Sequence, residues 1–372
     1  MNICFYAPFK PLGHRNPSGD LVTASGLYQH LSGRGHTVRI ASALRTRWIF
    51  WKPWLIPLYL RERQRIARRF ARLNTDIWFT FHSYYKGPDI LGQFAARRLG
   101  IPYVIFQGVY ATKRRKKIMT WPGFVLNKLA LTAARHVFVN KQVDFTNLQR
   151  LLPARRVTYV APGIYPDQFC FDRAAREKMR HRWKVGDQPV IVSAAMFRPD
   201  VKSQGLIWMI RACSRLQQQG RHFQLVIAGD GSQRSQLEQL AAAHLPGRVR
   251  FVGKLPRKKM HQFYSAGDVF VFPGIGESLG MVYLEAQSCG LPVVALNNAG
   301  IPEVVKDQHT GLLTPMLETG PFIRAVDALL SNDNLRQKMG RAAQSYVREK
   351  HDLKQNYRKV DDVLRRIVQS RK

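Results

Sequence analysis

Acidic side chains are scarce in this chain: its 372 residues carry 24 Asp and Glu against 59 Lys and Arg, a formal charge of +35. This balance excludes an acidic, solvating protein and favours an anionic partner, either nucleic acid or a membrane surface. The excess is uneven, because residues 1–160 hold 27 basic and only 5 acidic side chains. We therefore expect the first half of the chain to bind this anionic partner.

Cysteines are also few, and the four present (Cys4, Cys170, Cys213 and Cys289) show no C-x-x-C spacing. Their scatter excludes a disulfide framework and a zinc knuckle, and favours a reducing cytosol. Long apolar runs are missing as well. The uncharged stretches 53–60 and 118–127 fall well short of the ~20 residues that span a bilayer, so no membrane-crossing segment is expected.

Short apolar runs alternate with amphipathic stretches, which is the pattern of repeated βαβ units. Two series of strands are predicted, separated by turn residues around a charged segment at 173–184, and residues 332–372 are predicted to be helical. With 45% hydrophobic residues the chain can form two cores, so two α/β domains with parallel sheets are expected. Ligands of such sheets bind outside the carboxyl ends of the strands. The predicted strands are 3–7, 37–41, 76–81, 103–106, 136–139 and 157–160, then 190–194, 224–228, 249–252, 269–272, 292–296 and 311–314.

A glycine-rich segment, PGIGESLGMVYLEAQSCG at 273–290, follows one predicted strand and leads into an apolar helix. Such a turn offers free backbone N–H groups to an anion such as phosphate. Glu277 and Glu285 lie eight residues apart, about 12 Å along a helix, and so can grip opposite ends of an extended nucleotide-sugar. The alternative is that Glu277 merely neighbours a helix cap and Glu285 is a solvated helix residue. The backbone positions of this predicted phosphate site are Ser278, Leu279, Gly280 and Met281.

This segment, with GIPEVV at 300–305 and TGLL at 310–313, resembles the donor domain of family 4 retaining glycosyltransferases of the GT-B fold. The resemblance extends upstream to LVIAGDG at 225–231 and is looser in the first half, at PSGD (17–20) and GRGHTV (33–38). It implies an α/β protein with two Rossmann-like domains facing a central cleft. The expected parts are an acceptor-binding domain at 1–165, a hinge at 166–188, a nucleotide-sugar donor domain at 189–350, and a helical tail at 351–372 returning to the first domain.

By this resemblance Glu277 binds hydroxyls of the transferred sugar and Glu285 binds the ribose, while backbone near Gly253 and Leu255 contacts the base. Two cations, Lys202 and Arg198, are expected to neutralise the pyrophosphate leaving group, although either one is alternatively an exposed loop charge, Arg198 more so than Lys202. The chain has no D-x-D motif and no histidines at ligand spacing. We therefore expect no metal and no cofactor beyond the nucleotide-sugar, since these cations and helix N-termini can replace Mg²⁺.

Three residues of the first half are further candidates. Gly19 lacks a Cβ and so lets backbone approach a phosphate closely, or else forms a plain turn. His82, after predicted strand 76–81, positions the acceptor or the sugar, or is only a hydrogen-bonded strand-end histidine. Gln107 stands on the acceptor side, where many relatives carry the histidine of a His-Gly pair. It cannot titrate, which suits a front-face mechanism in which the departing phosphate takes the acceptor proton.

Two basic segments contain tryptophan: Trp48, Trp51 and Trp54 precede the arginine-rich run 61–72, and a cluster of five cations precedes Trp121. Rings at headgroup depth and cations on anionic lipid, at about 1 kcal/mol each, favour binding to a membrane surface. Single-stranded nucleic acid and plain solvated charge are the alternatives. The five clustered cations are Lys113, Arg114, Arg115, Lys116 and Lys117.

Together these features predict a retaining, metal-independent hexosyltransferase, peripheral on the cytoplasmic face of the membrane. It would move a sugar from a nucleoside diphosphate sugar to a lipid-linked, lipopolysaccharide-type or other cell-envelope glycan. One alternative is a basic nucleic-acid-binding protein on a degenerate GT-B scaffold, which the intact Glu277, Glu285 and Lys202 disfavour. The other is a soluble glycosyltransferase with a small-molecule acceptor.

Overall fold

The structure, a computed structural model, describes residues 1–13 and 19–370. They form two compact units, one comprising Met1–Val160 with the C-terminal residues from Lys354 onward, and the other Ala161–Leu353. Each unit is built on a six-stranded sheet whose strand pairs are all parallel. The two α/β folds predicted from the alternating apolar runs are therefore confirmed.

The first sheet has the strand order β2-β1-β3-β4-β5-β6. Its central strands are rich in aromatic and β-branched side chains, and helices cover both faces of such a sheet, so nearly every residue of β3 and β4 is buried. All six predicted strands are present, and β3 continues two residues beyond its predicted end. The strands are β1 (Asn2–Tyr6), β2 (Thr37–Ile40), β3 (Ile77–Ser83), β4 (Tyr103–Gly108), β5 (His136–Val139) and β6 (Val157–Tyr159).

The second sheet has the order β12-β11-β10-β7-β8-β9, and its strands also match the six predicted runs. The central strand β7 has the sequence VIVSA and is buried along its whole length. The strands are β7 (Val190–Ala194), β8 (Gln224–Ala228), β9 (Val249–Gly253), β10 (Val269–Val271), β11 (Val293–Leu296) and β12 (Gly311–Thr314).

Helices connect the strands, and several begin at a side chain that caps the first turn. Asp172, Asp200 and Asn332 accept hydrogen bonds from the backbone N–H groups that open α6, α7 and α12. The helices of the first half are α1 (Gly19–Gly33), α2 (Ile56–Ala71), α3 (Gly92–Leu99), α4 (Trp121–Ala133) and α5 (Gln142–Gln149). Those that follow are α6 (Arg173–Trp183), α7 (Val201–Gln218), α8 (Arg234–His244), α9 (Met260–Ser265), α10 (Met281–Ser288), α11 (Thr319–Ser331), α12 (Asp333–Lys350) and α13 (Leu353–Gln369). None of the described helices is long and apolar enough to cross a membrane.

Residues 166–188, expected as a hinge, contribute helix α6 to the second unit. Asp268, which precedes β10, holds this helix by accepting from Arg176 Nη2 at 2.6 Å and Arg180 Nη1 at 3.1 Å. The Asp268 carboxylate also accepts from the backbone N–H of Val190 at 2.7 Å. One carboxylate therefore ties α6 to the start of the central strand β7.

The last helix, α13, packs on the first unit. Its Tyr357 is buried and lies edge-on to Phe106 of β4, with ring centroids 6.2 Å apart. Its Asp361 is fully buried and accepts from His36 Nε2 at 2.6 Å and from Arg34 Nε at 3.1 Å. Arg365, one turn later on α13, donates to the same carboxylate.

We expect Asp361→Ala to destabilise the first unit by about 2 kcal/mol, because it leaves the buried His36 ring without its hydrogen-bond partner. The neighbouring Asp362 is exposed, so Asp362→Ala is the matched control and should change stability by no more than about 0.5 kcal/mol. Urea unfolding followed by circular dichroism measures both changes. Equal stability of the two variants would contradict the anchoring role of Asp361.

Candidate functional site

The glycine-rich loop predicted to bind an anion lies between β10 and α10. Helix α10 begins only at Met281, with Gly280 as its cap, so Glu277 lies in the loop and not on the helix. The expectation that Glu277 and Glu285 are separated by about 12 Å of continuous helix is therefore wrong. Gly280 has φ +66°, and a Cβ there would lie 2.7 Å from the Tyr283 ring. Close packing of the loop on its own helix thus requires glycine.

Backbone N–H groups of this loop are available to a ligand. Ser278 N–H donates to Glu277 Oε1 at 3.1 Å. The N–H groups of Leu279, Gly280 and Met281 make no hydrogen bond within the part of the chain that the structure describes. Three successive donors at a helix N-terminus are a suitable cradle for an anion, whereas the fourth predicted donor, the Ser278 N–H, is already bonded within the loop.

A cation from another element lies beside this loop. Lys202 is the second residue of α7, and its Nζ is 3.4 Å from Glu277 Oε2. Both side chains are mostly buried, with 30% of Lys202 and 16% of Glu277 exposed. Arg198, four residues earlier, is exposed and makes no ion pair with any described residue. The fold thus brings Lys202 to Glu277 and leaves Arg198 on the loop surface.

Glu285 occupies a different environment, which excludes the alternative of a solvated helix residue. It is 5% exposed, and its two carboxylate oxygens accept from Arg257 Nη1 at 2.7 Å and from the Tyr264 hydroxyl at 3.1 Å. Burial raises the pKa of Glu285, and the Arg257 charge opposes that shift. Burial also raises the pKa of Tyr264 well above its usual value, so this hydroxyl stays a donor.

Three further loops meet at the carboxyl ends of β7, β8 and β9. The backbone carbonyl of Gly253, at φ +75°, accepts from Gly229 N–H at 2.9 Å. A Cβ at Gly229 would lie 1.9 Å from the Ala195 carbonyl oxygen, so only glycine permits this approach. Leu255 follows Gly253 and packs its side chain against the core of the second unit. Gly253 and Leu255 therefore stand at the same sheet edge as the glycine-rich loop.

The strand ends of the first unit hold a second group of candidates. His82 and Gln107 are neighbours on β3 and β4, between the paired residues Phe81–Phe106 and Ser83–Gly108. Both adopt the left-handed region, at φ +63° and +58°. Such conformations cost about 1–3 kcal/mol each in residues other than glycine and cluster at functional sites.

Gln107 is 6% exposed, and its Oε1 is buried without a hydrogen-bond partner in the described residues. A buried amide oxygen without a donor is costly, so this atom is a candidate ligand contact. The His82 ring stacks on Tyr84 at 4.7 Å and lies 5.7 Å from the Phe9 ring. The fold therefore places the predicted His82 and Gln107 side by side at the carboxyl edge of the sheet.

Gly19 is the first residue of α1, and a Cβ there would meet no atom of a described residue within 4 Å. The described residues thus give no steric reason for glycine at this position. The rest of the predicted loop, residues 14–18, lies outside the described residues.

The two tryptophan-containing segments lie in contact with each other. Trp51 Nε1 donates to the Met119 carbonyl at 3.0 Å, which joins residues 49–55 to the turn before α4. We call the exposed side chains of these segments the tryptophan surface: Trp51, Trp54, Ile118, Met119 and Trp121, which are 43–82% exposed. Trp48 differs, because its ring is half-buried against Phe50 and Tyr85. Residues 112–116, four of them cationic, form a short 3₁₀ helix directly before this surface.

Sequence reasoning missed Arg257 and Tyr264, the two partners of Glu285. They lie 28 and 21 residues before it, and no local spacing connects them. It also missed Phe9, whose ring contacts His82 and Tyr84. A sequence gives no sign of such partners until the fold shows that Glu285 is buried and must be paired.

Known proteins resemble this chain in sequence and in fold. Residues 175–346 match the family model described as glycosyl transferases group 1. Alpha-D-kanosaminyltransferase of Streptomyces kanamyceticus is 28% identical over 305 residues, which are 77% of each protein. A GDP-mannose-dependent alpha-(1-6)-phosphatidylinositol monomannoside mannosyltransferase of Mycolicibacterium smegmatis is 30% identical over 241 residues, covering 60% of this chain and 62% of that enzyme.

Among solved structures, Anabaena HepE in complex with UDP superposes with a TM-score of 0.73 at 16% identity, covering 98% of this chain and 99% of that one. The superposition covers both α/β units, so the similarity extends over the described fold. The chain thus has the GT-B fold, and its second unit matches the glycosyl transferases group 1 model.

Proposed function

We propose that the protein is a retaining glycosyltransferase that takes its sugar from a nucleoside diphosphate sugar held by the second unit. The observation that carries this proposal is the Lys202–Glu277 pair beside three unbonded backbone N–H groups. A pyrophosphate fits the N–H groups and Lys202, and a sugar hydroxyl fits the Glu277 carboxylate. The named relatives, one GDP-mannose-dependent and one solved with UDP, support a nucleotide donor.

In this proposal Lys202 has two partners in turn. Without donor it neutralises Glu277 at 3.4 Å. When a diphosphate arrives, Lys202 shifts its charge to the phosphate oxygens, and Glu277 becomes free to accept from the sugar. Negative charge grows on the leaving diphosphate in the transition state, where Lys202, the loop N–H groups and Arg198 stabilise it. We propose that these groups suffice without a metal ion.

The anomeric bond to the leaving phosphate breaks and the bond to the acceptor oxygen forms on the same face of the sugar, in a front-face reaction with retention. The departing phosphate oxygen takes the acceptor proton. Gln107 cannot titrate, and its partnerless Oε1 is suited to accept from a hydroxyl of the sugar or acceptor. His82, the neighbouring residue, would orient the same substrate. Gly19 would let the start of α1 approach a phosphate of the donor.

We propose a lipid-linked or cell-envelope glycan as acceptor, reached from the cytoplasmic face of the membrane. The tryptophan surface places exposed rings beside five clustered cations, Lys113 to Lys117, as binding to an anionic interface requires. The mycobacterial relative is named for a phosphatidylinositol mannoside acceptor, which supports a lipid. The intact donor residues and the exposed rings favour this function over nucleic-acid binding or a small soluble acceptor.

Glu277→Gln and Lys202→Ala should each lower transfer by about 10²–10³, because each removes a group that acts on charge or position in the transition state. The assay follows release of nucleoside diphosphate from a panel of nucleotide-sugars, with a lipid extract as acceptor and EDTA present. The exposed Glu349→Gln and Lys338→Ala are matched controls and should act like the wild type. If a folded Glu277 or Lys202 variant keeps near wild-type turnover, the proposed donor site is wrong. If the wild type is inactive in EDTA and regains activity only when Mg²⁺ is added, the proposed metal independence is wrong.

Glu285→Gln should weaken binding of the free nucleoside diphosphate about tenfold, or about 1.4 kcal/mol, if this carboxylate accepts from ribose hydroxyls. Calorimetry with the same nucleotide and its 2′,3′-dideoxy analogue isolates the contact. The wild type should prefer the ribose form, and the variant should bind both forms alike. A variant that keeps the full preference for ribose would place the ribose elsewhere.

Trp54→Ser combined with Trp121→Ser should weaken cosedimentation with anionic vesicles even at low salt, because burial of the rings at the interface is not electrostatic. Wild-type binding should fall as salt rises and screening shortens the reach of charge to ~8 Å. The double variant Phe171→Ser with Met316→Ser removes two exposed apolar side chains from the second unit and is the control. Tighter binding to single-stranded oligonucleotide than to vesicles, at equal phosphate concentration, would favour the nucleic-acid alternative.

A further inference from the structure

A cavity of about 870 Å³ lies in the first unit, between the segment that follows β2 and helix α2. Its size falls within the range of ligand pockets, about 300–1,000 Å³. Five cationic side chains line it, with one carboxylate, Glu62, and an apolar wall of Leu44, Leu55 and Leu58. The five cations are Arg45, Arg47, Lys52, Arg65 and Arg69.

The single carboxylate is already engaged inside the protein. Glu62 accepts from Arg65 Nε at 2.9 Å and from Arg65 Nη2 at 2.7 Å, and the Ser42 hydroxyl also donates to it. The hydrogen bonds from Arg65 hold the pKa of Glu62 below its usual value, so it stays anionic. Glu62 thus compensates Arg65 alone.

The other four cations lack such a partner. Within the described residues, no carboxylate forms an ion pair with Arg45, Arg47, Lys52 or Arg69. Arg45 does donate to the Phe9 carbonyl at 3.1 Å, which fixes its position. Like charges around one cavity repel each other, and an anion bound among them would relieve that repulsion.

The position of the cavity connects it to the strand-end residues. Its first wall, Ile40 to Arg45, leaves the carboxyl end of β2, at the same edge of the sheet as His82 and Gln107. The guanidinium carbons of Arg45 and Arg47 each lie 6.0 Å from the centre of the Phe9 ring. The same ring lies 5.7 Å from the His82 ring. Phe9 therefore separates the cationic cavity from His82 by the width of one side chain.

The apolar wall reaches the protein surface near the start of α2. Leu58 lines the cavity and is 43% exposed, whereas Ile56 and Leu60, two positions away in the helix, lie on its other side. Trp54 of the tryptophan surface directly precedes this helix and is 69% exposed. The cavity wall is cationic on one side and apolar on the other. A ligand with an anionic group next to an apolar chain would therefore match it.

We propose that this cavity binds the anionic head group of a lipid-linked acceptor, such as a phosphate next to the apolar chain, while the accepting hydroxyl reaches His82 and Gln107. This inference rests on the proposed transferase function and adds the class of its acceptor, an acidic amphiphile. Arg47, Lys52 and Arg69 would contact the anion, and Leu55 and Leu58 the start of the chain. Arginine suits this role because its planar fork matches the oxygens of a phosphate.

The test uses the full-length protein and short-chain dihexanoyl phosphatidate, kept below its micelle-forming concentration, as the probe. Calorimetry compares the wild type with a cavity variant, Arg47→Gln, Lys52→Gln and Arg69→Gln combined. The matched control, Arg115→Gln, Lys116→Gln and Lys117→Gln, removes equal charge from the cluster beside the tryptophan surface. We expect the cavity variant to bind the probe at least tenfold more weakly and the control to lie within twofold of the wild type.

In cosedimentation with vesicles containing 20% long-chain phosphatidylglycerol, the ranking of the two variants should be reversed. There the control variant should bind more weakly than the cavity variant. Dihexanoyl phosphatidylcholine and inorganic phosphate should each bind the wild type at least tenfold more weakly than phosphatidate, because one lacks net charge and the other lacks the chain. If the triple cavity variant does not fold, the single change Lys52→Glu takes its place, because Lys52 is half-exposed and forms no ion pair with a described residue.

Equal probe binding by wild type and cavity variant would overturn the proposal. So would inorganic phosphate binding as tightly as phosphatidate, or an oligonucleotide displacing the probe at equal phosphate concentration. The donor test is separate: a nucleoside diphosphate that stabilises the cavity variant as it does the wild type shows that the donor site is intact. Loss of probe binding with donor binding retained supports the cavity, whereas absence of any donor binding in the wild type refutes the transferase itself.

Discussion

Because every strand pair in both sheets is parallel, all six carboxyl ends of a unit reach the same edge, and the loops leaving them must lie side by side. In the second unit this constraint brings together residues far apart in the chain: Lys202 after β7, Gly229 after β8, Gly253 at the end of β9 and Glu277 after β10. In the first unit it makes His82 and Gln107 neighbours. The loops differ in sequence, but their common edge follows from strand pairing alone.

The scarcity of acidic residues determines the electrostatics of the protein. Several of the few carboxylates occupy buried or half-buried positions where each pairs with particular cations: Asp268 with two arginines of α6, Asp361 with His36 and Arg34, and Glu285 with Arg257. Residues 1–160 hold only 5 acidic side chains against 27 basic ones, so most cations of this part of the chain would remain uncompensated even if every acid were paired. The charge excess of the first half therefore follows from its composition.

Several of the candidate residues occupy strained or unfavourable environments. His82 and Gln107 hold left-handed backbone conformations that favour glycine, and the buried Gln107 Oε1 has no donor among the described residues. Buried Glu285 carries a raised pKa, which the Arg257 charge limits. A ligand that donates to Gln107 Oε1 would supply the hydrogen bond that this atom lacks among the described residues.

The sequence by itself determined the twelve strands, the helical C-terminus and the position of the glycine-rich loop, because these depend on local periodicity and on turn residues. It also indicated Glu277, Lys202 and Glu285 as a set, through their resemblance to a known family. Only the tertiary structure decided that Glu277 lies before α10, that Glu285 is buried against Arg257 and Tyr264, and that Trp48 is covered while Trp51 meets Met119. Each of these features depends on contacts between residues that lie far apart in the chain. The packing of whole helices and strands determines which residues meet, and such contacts produce no periodic pattern in the sequence.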